Sequence, residues 1–125
     1  MADVTPRCAL VVDDSATMRQ LIGFALRRVP GLDLVEAQNG LEALRLLDER
    51  SFDLILLDIN MPVMSGFTFL EQLSARGDMP PVIVITTEDA QEDIDRALAL
   101  GAAAYVMKPV TGPVLADAIR QVIGD

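Results

Sequence analysis

Four places along the chain pair a short apolar run with residues able to do chemistry. Cys8-Ala9-Leu10-Val11-Val12 closes in Asp13-Asp14, and Leu54-Ile55-Leu56-Leu57 in Asp58. Val82-Ile83-Val84-Ile85 closes in Thr86-Thr87-Glu88, and Ala103 to Met107 in Lys108-Pro109. A lone Asp of this kind is usually a helix cap or a solvated loop residue. The same placement at four strand ends points to one shared site. If Asp13, Asp14 and Asp58 meet, they repel: a pair about 4 Å apart costs roughly 4 kcal/mol at an effective dielectric near 20. Lys108 supplies one positive charge, and a divalent cation would neutralise the remainder. With no histidine in the chain and a single cysteine, such a metal must be held by oxygen, which favours Mg²⁺. Thr86 can donate a hydroxyl hydrogen bond, and Lys108 can act as a point charge on a phosphoryl oxygen. A carboxylate nucleophile beside a metal and a cation describes an aspartyl-phosphate site.

The elements that must position these residues follow from periodicity. Leu54 to Leu57 is a four-residue aliphatic run bounded by turn signals, as expected of a strand covered on both faces of a parallel sheet. A buried unpaired charge is costly, so Asp58 should stand where the strand emerges, at its carboxyl end. In open α/β sheets that edge binds ligands. Pro62 then breaks the ladder.

Residues 1–7 read as a flexible lead. Cys8 to Val12 is the first strand, with Cys8 as a small buried hydrophobe. Ser15 caps a helix carrying Met18, Leu21, Ile22, Ala25 and Val29, which Pro30-Gly31 ends. Leu32 to Ala37 is a less apolar strand near an edge. Asn39 with Glu42 forms a capping box for a helix reaching about Arg50. Ser65 or Gly66 starts a helix carrying Phe67, Leu70 and Leu73. Asp89 with Glu92 opens another, which Gly101 ends. Thr111 caps a last helix whose Leu115, Ala118, Ile119 and Val122 share a face. Five alternations of strand and helix imply a doubly wound parallel sheet with right-handed crossovers. In the order 2-1-3-4-5, the first and third strands are neighbours, which brings Asp13, Asp14 and Asp58 together.

The bulk numbers narrow the function. At 125 residues, 51% hydrophobic and 23% charged, the chain is expected to be one globular domain spanning 1–125. A net charge of −9 argues against a direct nucleic-acid or anionic-membrane partner. No apolar run reaches membrane-spanning length, and no signal peptide opens the chain, so a cytoplasmic location is expected.

The sequence resembles the receiver domains of two-component response regulators, above all the single-domain chemotaxis regulators. The match runs through Val12-Asp13-Asp14-Ser15 with Thr17-Met18-Arg19, and Leu57-Asp58 through Asn60-Met61-Pro62 to Gly66. It continues through Ile85-Thr86-Thr87-Glu88 and Gly101-Ala102 by way of Tyr105 to Lys108-Pro109. The resemblance implies the flavodoxin-like order 2-1-3-4-5, which is the order known for that family. It implies that Asp58 is phosphorylated by a histidine kinase. Asp13 and Asp14 would hold Mg²⁺ (or Mn²⁺ in its place) with Asp58 and the main-chain carbonyl of Asn60. Lys108 would contact the phosphoryl group, Thr86 and Tyr105 would form the switch, and Asn60 and Glu88 would tune dephosphorylation. A cis bond before Pro109 is also implied.

The implied protein is not an enzyme in the ordinary sense but a phospho-acceptor that catalyses its own phosphorylation and dephosphorylation. Its expected partners are the kinase, a downstream target such as the flagellar motor switch, and a phosphatase; a monomer is expected. The output surface would be the fourth helix, fifth strand and fifth helix. Ser65, Val110 and Gly112-Pro113 depart from the family pattern and bear on partner choice more than on chemistry. Arg19 reads most simply as a helix-surface charge, although the resemblance puts it near the acidic pocket. Three rival readings are a phosphate sink, a pseudo-receiver interaction module, and a phosphohydrolase of the haloacid dehalogenase type, which Asp58-Ile59-Asn60 faintly resembles.

Overall fold

The computed structural model describes residues 7–77, 79–87 and 90–124. Its elements run β1 (Arg7–Val12), α1 (Ala16–Leu26), β2 (Leu32–Ala37), α2 (Gly40–Glu49), β3 (Leu54–Leu57), α3 (Gly66–Ala75), β4 (Val82–Thr86), α4 (Gln91–Ala99), β5 (Ala104–Met107) and α5 (Gly112–Ile123). The sheet is parallel throughout, in the order β2-β1-β3-β4-β5.

Side chains of a strand alternate between faces, so a strand buried on both feeds two cores. Leu10, Val12, Ile55, Leu57, Val82 and Val84 pack on one face with Phe69, Leu70 and Leu73 of α3, Ala43 of α2 and Ala97 of α4. Ala9, Val11, Leu54, Leu56, Ile83 and Ile85 pack on the other with Ile22, Ala25 and Leu26 of α1 and Leu115, Ala116 and Ile119 of α5. Cys8 is buried at the start of β1, as expected. No helix among the described residues is long and apolar enough to cross a membrane.

Capping chemistry sets most helix starts. The Ser15, Asn39, Ser65 and Thr111 side chains accept from the N–H groups of Met18, Glu42, Thr68 and Val114. Glu42 also accepts from the Gln38 N–H at 3.3 Å, so the expected capping box is only half made: its return bond reaches the residue before the Asn39 N-cap instead of the N-cap N–H itself.

Several boundaries differ from expectation. Residues 1–6 of the expected lead lie outside the described residues, but Arg7 already belongs to β1, its N–H donating to the Gly31 carbonyl at 3.0 Å. Helix α1 stops at Leu26 rather than near Val29: Pro30 has no N–H to offer the Leu26 carbonyl, and the Arg28 and Val29 N–H groups bond three residues back, to the Ala25 and Leu26 carbonyls at 3.1 and 3.0 Å. Val29 nevertheless stays buried in the second core. Ala90, which carries no acceptor, occupies the N-cap of α4, and Asp89 lies outside the described residues; Glu92 and Asp93 in the first turn complement the helix dipole instead. In α3 it is Phe69 that is fully buried, whereas Phe67 packs only at the core's margin.

Candidate functional site

Parallel register aligns the strand ends. Val12 of β1 pairs with Leu57 of β3, so the next residues, Asp13 and Asp58, leave the sheet side by side. Thr86 of β4 pairs with Met107 of β5, and the Lys108 N–H donates to the Thr86 carbonyl at 2.8 Å. Among the described residues the buried polar or charged ones are three: Asp13 at 1% exposure, Asp58 at 5% and Thr86 at 0%. All three are strand-end residues singled out by the sequence pattern.

The acidic cluster is compact. One carboxylate oxygen from each of Asp13, Asp14 and Asp58 lies within 4.8 Å of the others, and Asp14 is the exposed member. The Lys108 Nζ stands 3.5 Å from Asp13 Oδ2 and 3.6 Å from Asp58 Oδ2. Asp13 Oδ1 accepts from the Ser15 N–H at 2.8 Å, and Asp58 Oδ1 from the Asn60 N–H at 3.3 Å. Burial above all, and the Asp13 carboxylate next, push the Asp58 carboxyl above its ordinary range; the Lys108 ammonium and the Asn60 N–H pull it partly back. Asp58 does stand at the strand's carboxyl end, but it is less exposed than avoidance of buried charge suggests, because these two donors face it.

The loop from β3 to α3 is held close to Asp58. The Gly66 N–H donates to the Ile59 carbonyl at 2.8 Å. A Cβ at Gly66 would stand 2.6 Å from both the Asp58 carbonyl oxygen and the Ile59 Cα, so the close approach of backbone to backbone requires glycine. In the same loop Val63 has a φ of 72°, a left-handed conformation unusual for a β-branched residue.

The other expected site residues fall around this centre. Tyr105 lies half-buried on β5, in register with Val84, and packs against the α2–α3–α4 side core. Asn60 is exposed beyond Asp58. Lys108-Pro109 is cis. Glu88 lies outside the described residues.

Arg19 departs from its simplest reading as a surface charge. Its side chain is only 13% exposed. Its Nη1 donates to the Asp13 main-chain oxygen at 2.6 Å, and its Nε to Glu36 Oε1 on β2 at 2.8 Å. The signal available in the sequence was an arginine at the first turn of a helix that carries no acid to pair with it.

The donor set fits a hard divalent cation: three carboxylates converge with no nitrogen or sulfur ligand among them, and one ammonium cannot balance them.

A family model described as the response regulator receiver domain matches residues 9–120. The chain is 39% identical over 118 residues to chemotaxis protein CheY1 of Helicobacter pylori, covering 92% of this chain and 95% of that protein. It is 38% identical over 119 residues to the chemotaxis protein CheY homolog of Campylobacter jejuni, covering 92% and 91%. Among solved structures, chemotaxis protein CheY4 of Vibrio cholerae superposes with a TM-score of 0.86 at 32% identity, over 94% of this chain and 99% of that one. A CheY-like receiver domain protein of Methanospirillum hungatei gives 0.86 at 29% identity, over 96% and 95%.

Proposed function

Because the chain belongs to the response regulator receiver domain family, we propose that it works as a single-domain phosphorylation switch in chemotaxis or related signalling, with Asp58 as the phosphoryl acceptor. The observation that carries this reading is the buried Asp58 carboxylate, grouped with those of Asp13 and Asp14 and faced by the Lys108 ammonium at 3.6 Å.

In the proposed reaction an Asp58 carboxylate oxygen attacks the phosphorus of a phosphohistidine on a separate kinase. The O–P bond forms as the P–N bond breaks, and the imidazole nitrogen leaves with the electron pair and takes up a proton. Asp13, Asp14, Asp58 and the Asn60 main-chain carbonyl would hold Mg²⁺, which when bound supplies the positive charge that the acids and the transferring group lack. Lys108 binds a phosphoryl oxygen as a point charge. The Thr86 hydroxyl, at the same sheet edge, offers a further donor to that group.

The new charge biases a two-state equilibrium in which Thr86 and Tyr105 take different positions, and a protein target reads the favoured state. Water then hydrolyses the acyl phosphate at a rate tuned by Asn60 and Glu88. The downstream target is proposed to be a flagellar motor switch or a comparable effector, in the cytoplasm, and a phosphatase is proposed to speed the loss of the signal.

Two small phosphorylated compounds test the reaction class. Phosphoramidate, which carries a P–N bond like that of the proposed donor, should label the protein once in Mg²⁺ and not after chelation. A phosphate ester such as p-nitrophenyl phosphate should not be turned over. Steady ester hydrolysis without a protein adduct would instead identify a phosphohydrolase.

A further inference from the structure

We infer that Arg19 is a positioning residue for the divalent-cation site, a role that rests on the proposed use of Asp13 and Asp14 as metal ligands. Asp13 is fixed at every polar atom it has. Its N–H donates to the Ala37 carbonyl at 3.2 Å, Oδ1 accepts from the Ser15 N–H, and Oδ2 faces Lys108. The remaining atom, its main-chain oxygen, takes the 2.6 Å bond from Arg19. That carbonyl belongs to the peptide linking Asp13 to Asp14, so Arg19 sets the plane of the unit from which both carboxylates leave.

Glu36 anchors the other side of the guanidinium from the edge strand β2, at 2.8 Å. A planar fork suits this task, because it reaches two acceptors in fixed directions. Without it, Asp14 keeps its charge but loses the backbone restraint that aims it. Groups that orient metal ligands in this manner typically change affinity by roughly 10- to 100-fold when removed.

Charge and position predict opposite signs. Arg19 is a cation beside a cation site, so its removal should tighten Mg²⁺ binding if only Coulomb forces matter. If Arg19 positions the ligands, removal should weaken binding. Mg²⁺ affinity measured by titration calorimetry on the unphosphorylated protein separates the two. Arg19→Met is expected to bind Mg²⁺ at least about tenfold more weakly than the unaltered protein. Arg19→Lys, which keeps the charge and can reach one acceptor at a time, should recover part of the loss. A merely structural role would lower the thermal midpoint in EDTA and leave the affinity of the folded protein unchanged.

Equal or tighter binding by Arg19→Met overturns the inference. Should that variant not fold, Arg19→Lys decides: weaker binding supports the role, equal or tighter binding overturns it. Failure of the unaltered protein to bind Mg²⁺ would overturn the metal-dependent reading itself.

Discussion

Asp58→Asn should make the protein more stable at neutral pH in the absence of divalent cations, by about 1–3 kcal/mol, even as it removes the proposed phosphoryl acceptor. Asp58 is nearly buried, and its ionised form is opposed by desolvation and by Asp13. Lys108 offsets only part of this while also serving Asp13. Asparagine has nearly the same shape, removes the charge and keeps an oxygen for the Asn60 N–H.

The pH dependence follows from the raised carboxyl. In the folded state Asp58 binds its proton more tightly than in the unfolded chain. Its destabilising effect is absent below the ordinary carboxylate range. It grows as pH rises from there to the folded-state pKa, and is fully present above it. Asp58→Asn should lack that portion of the slope. Thermal melts in EDTA across acid to neutral pH check both points, and for a chain of this size about 4 °C accompanies each kcal/mol. Saturating Mg²⁺ should narrow the difference, since a ligand that binds only the folded protein stabilises the unaltered chain. A variant that melts below the parent in EDTA at pH 7 would contradict the electrostatic reading.

Lys108→Met should do the reverse. It leaves Asp13 and Asp58, whose side chains are 2% and 6% exposed, without the ammonium that stands 3.5 and 3.6 Å away. Removing one partner of a buried ion pair strands the other charge, and here two carboxylates are stranded; the expected loss is about 2–4 kcal/mol in EDTA. Mg²⁺ should rescue much of it and bind more tightly than to the parent, because a competing cation has gone. The double variant Asp58→Asn with Lys108→Met should recover part of the stability, which denaturant titrations arranged as a double-mutant cycle would measure. Simple additivity of the two changes would show that Lys108 and Asp58 do not interact across their 3.6 Å.

Both predictions concern residues the sequence marks plainly. Leu54 to Leu57 and Val82 to Ile85 carry no polar residue, so they suit only strands buried on both faces, and whatever follows them must lie at a sheet edge. The parallel register then brings Asp13 beside Asp58. Asn39 with Glu42 and the Ser15 cap were legible because capping is local chemistry.

What was not legible depends on three-dimensional approach. The resemblance puts Arg19 near the acidic pocket, but its periodicity is the same whether it points to solvent or folds back over Asp13, and its two bonds depend on the β1–α1 turn and the nearness of Glu36. Phe67 and Phe69 are alternatives for one buried face, and the packing of α3 on the sheet selects Phe69. The depth of Asp58 depends on the reach of Lys108 from the far side of β4. The need for glycine at 66 comes from the path of the loop past Asp58.

The decisive measurement is the intact mass of the protein after incubation with acetyl phosphate and Mg²⁺, taken with and without EDTA and beside Asp58→Asn. A single labile phosphoryl adduct that needs Mg²⁺ and is lost in the variant is the predicted result. No adduct on natively folded protein, or one that persists in Asp58→Asn, would contradict the assignment of Asp58 as the acceptor.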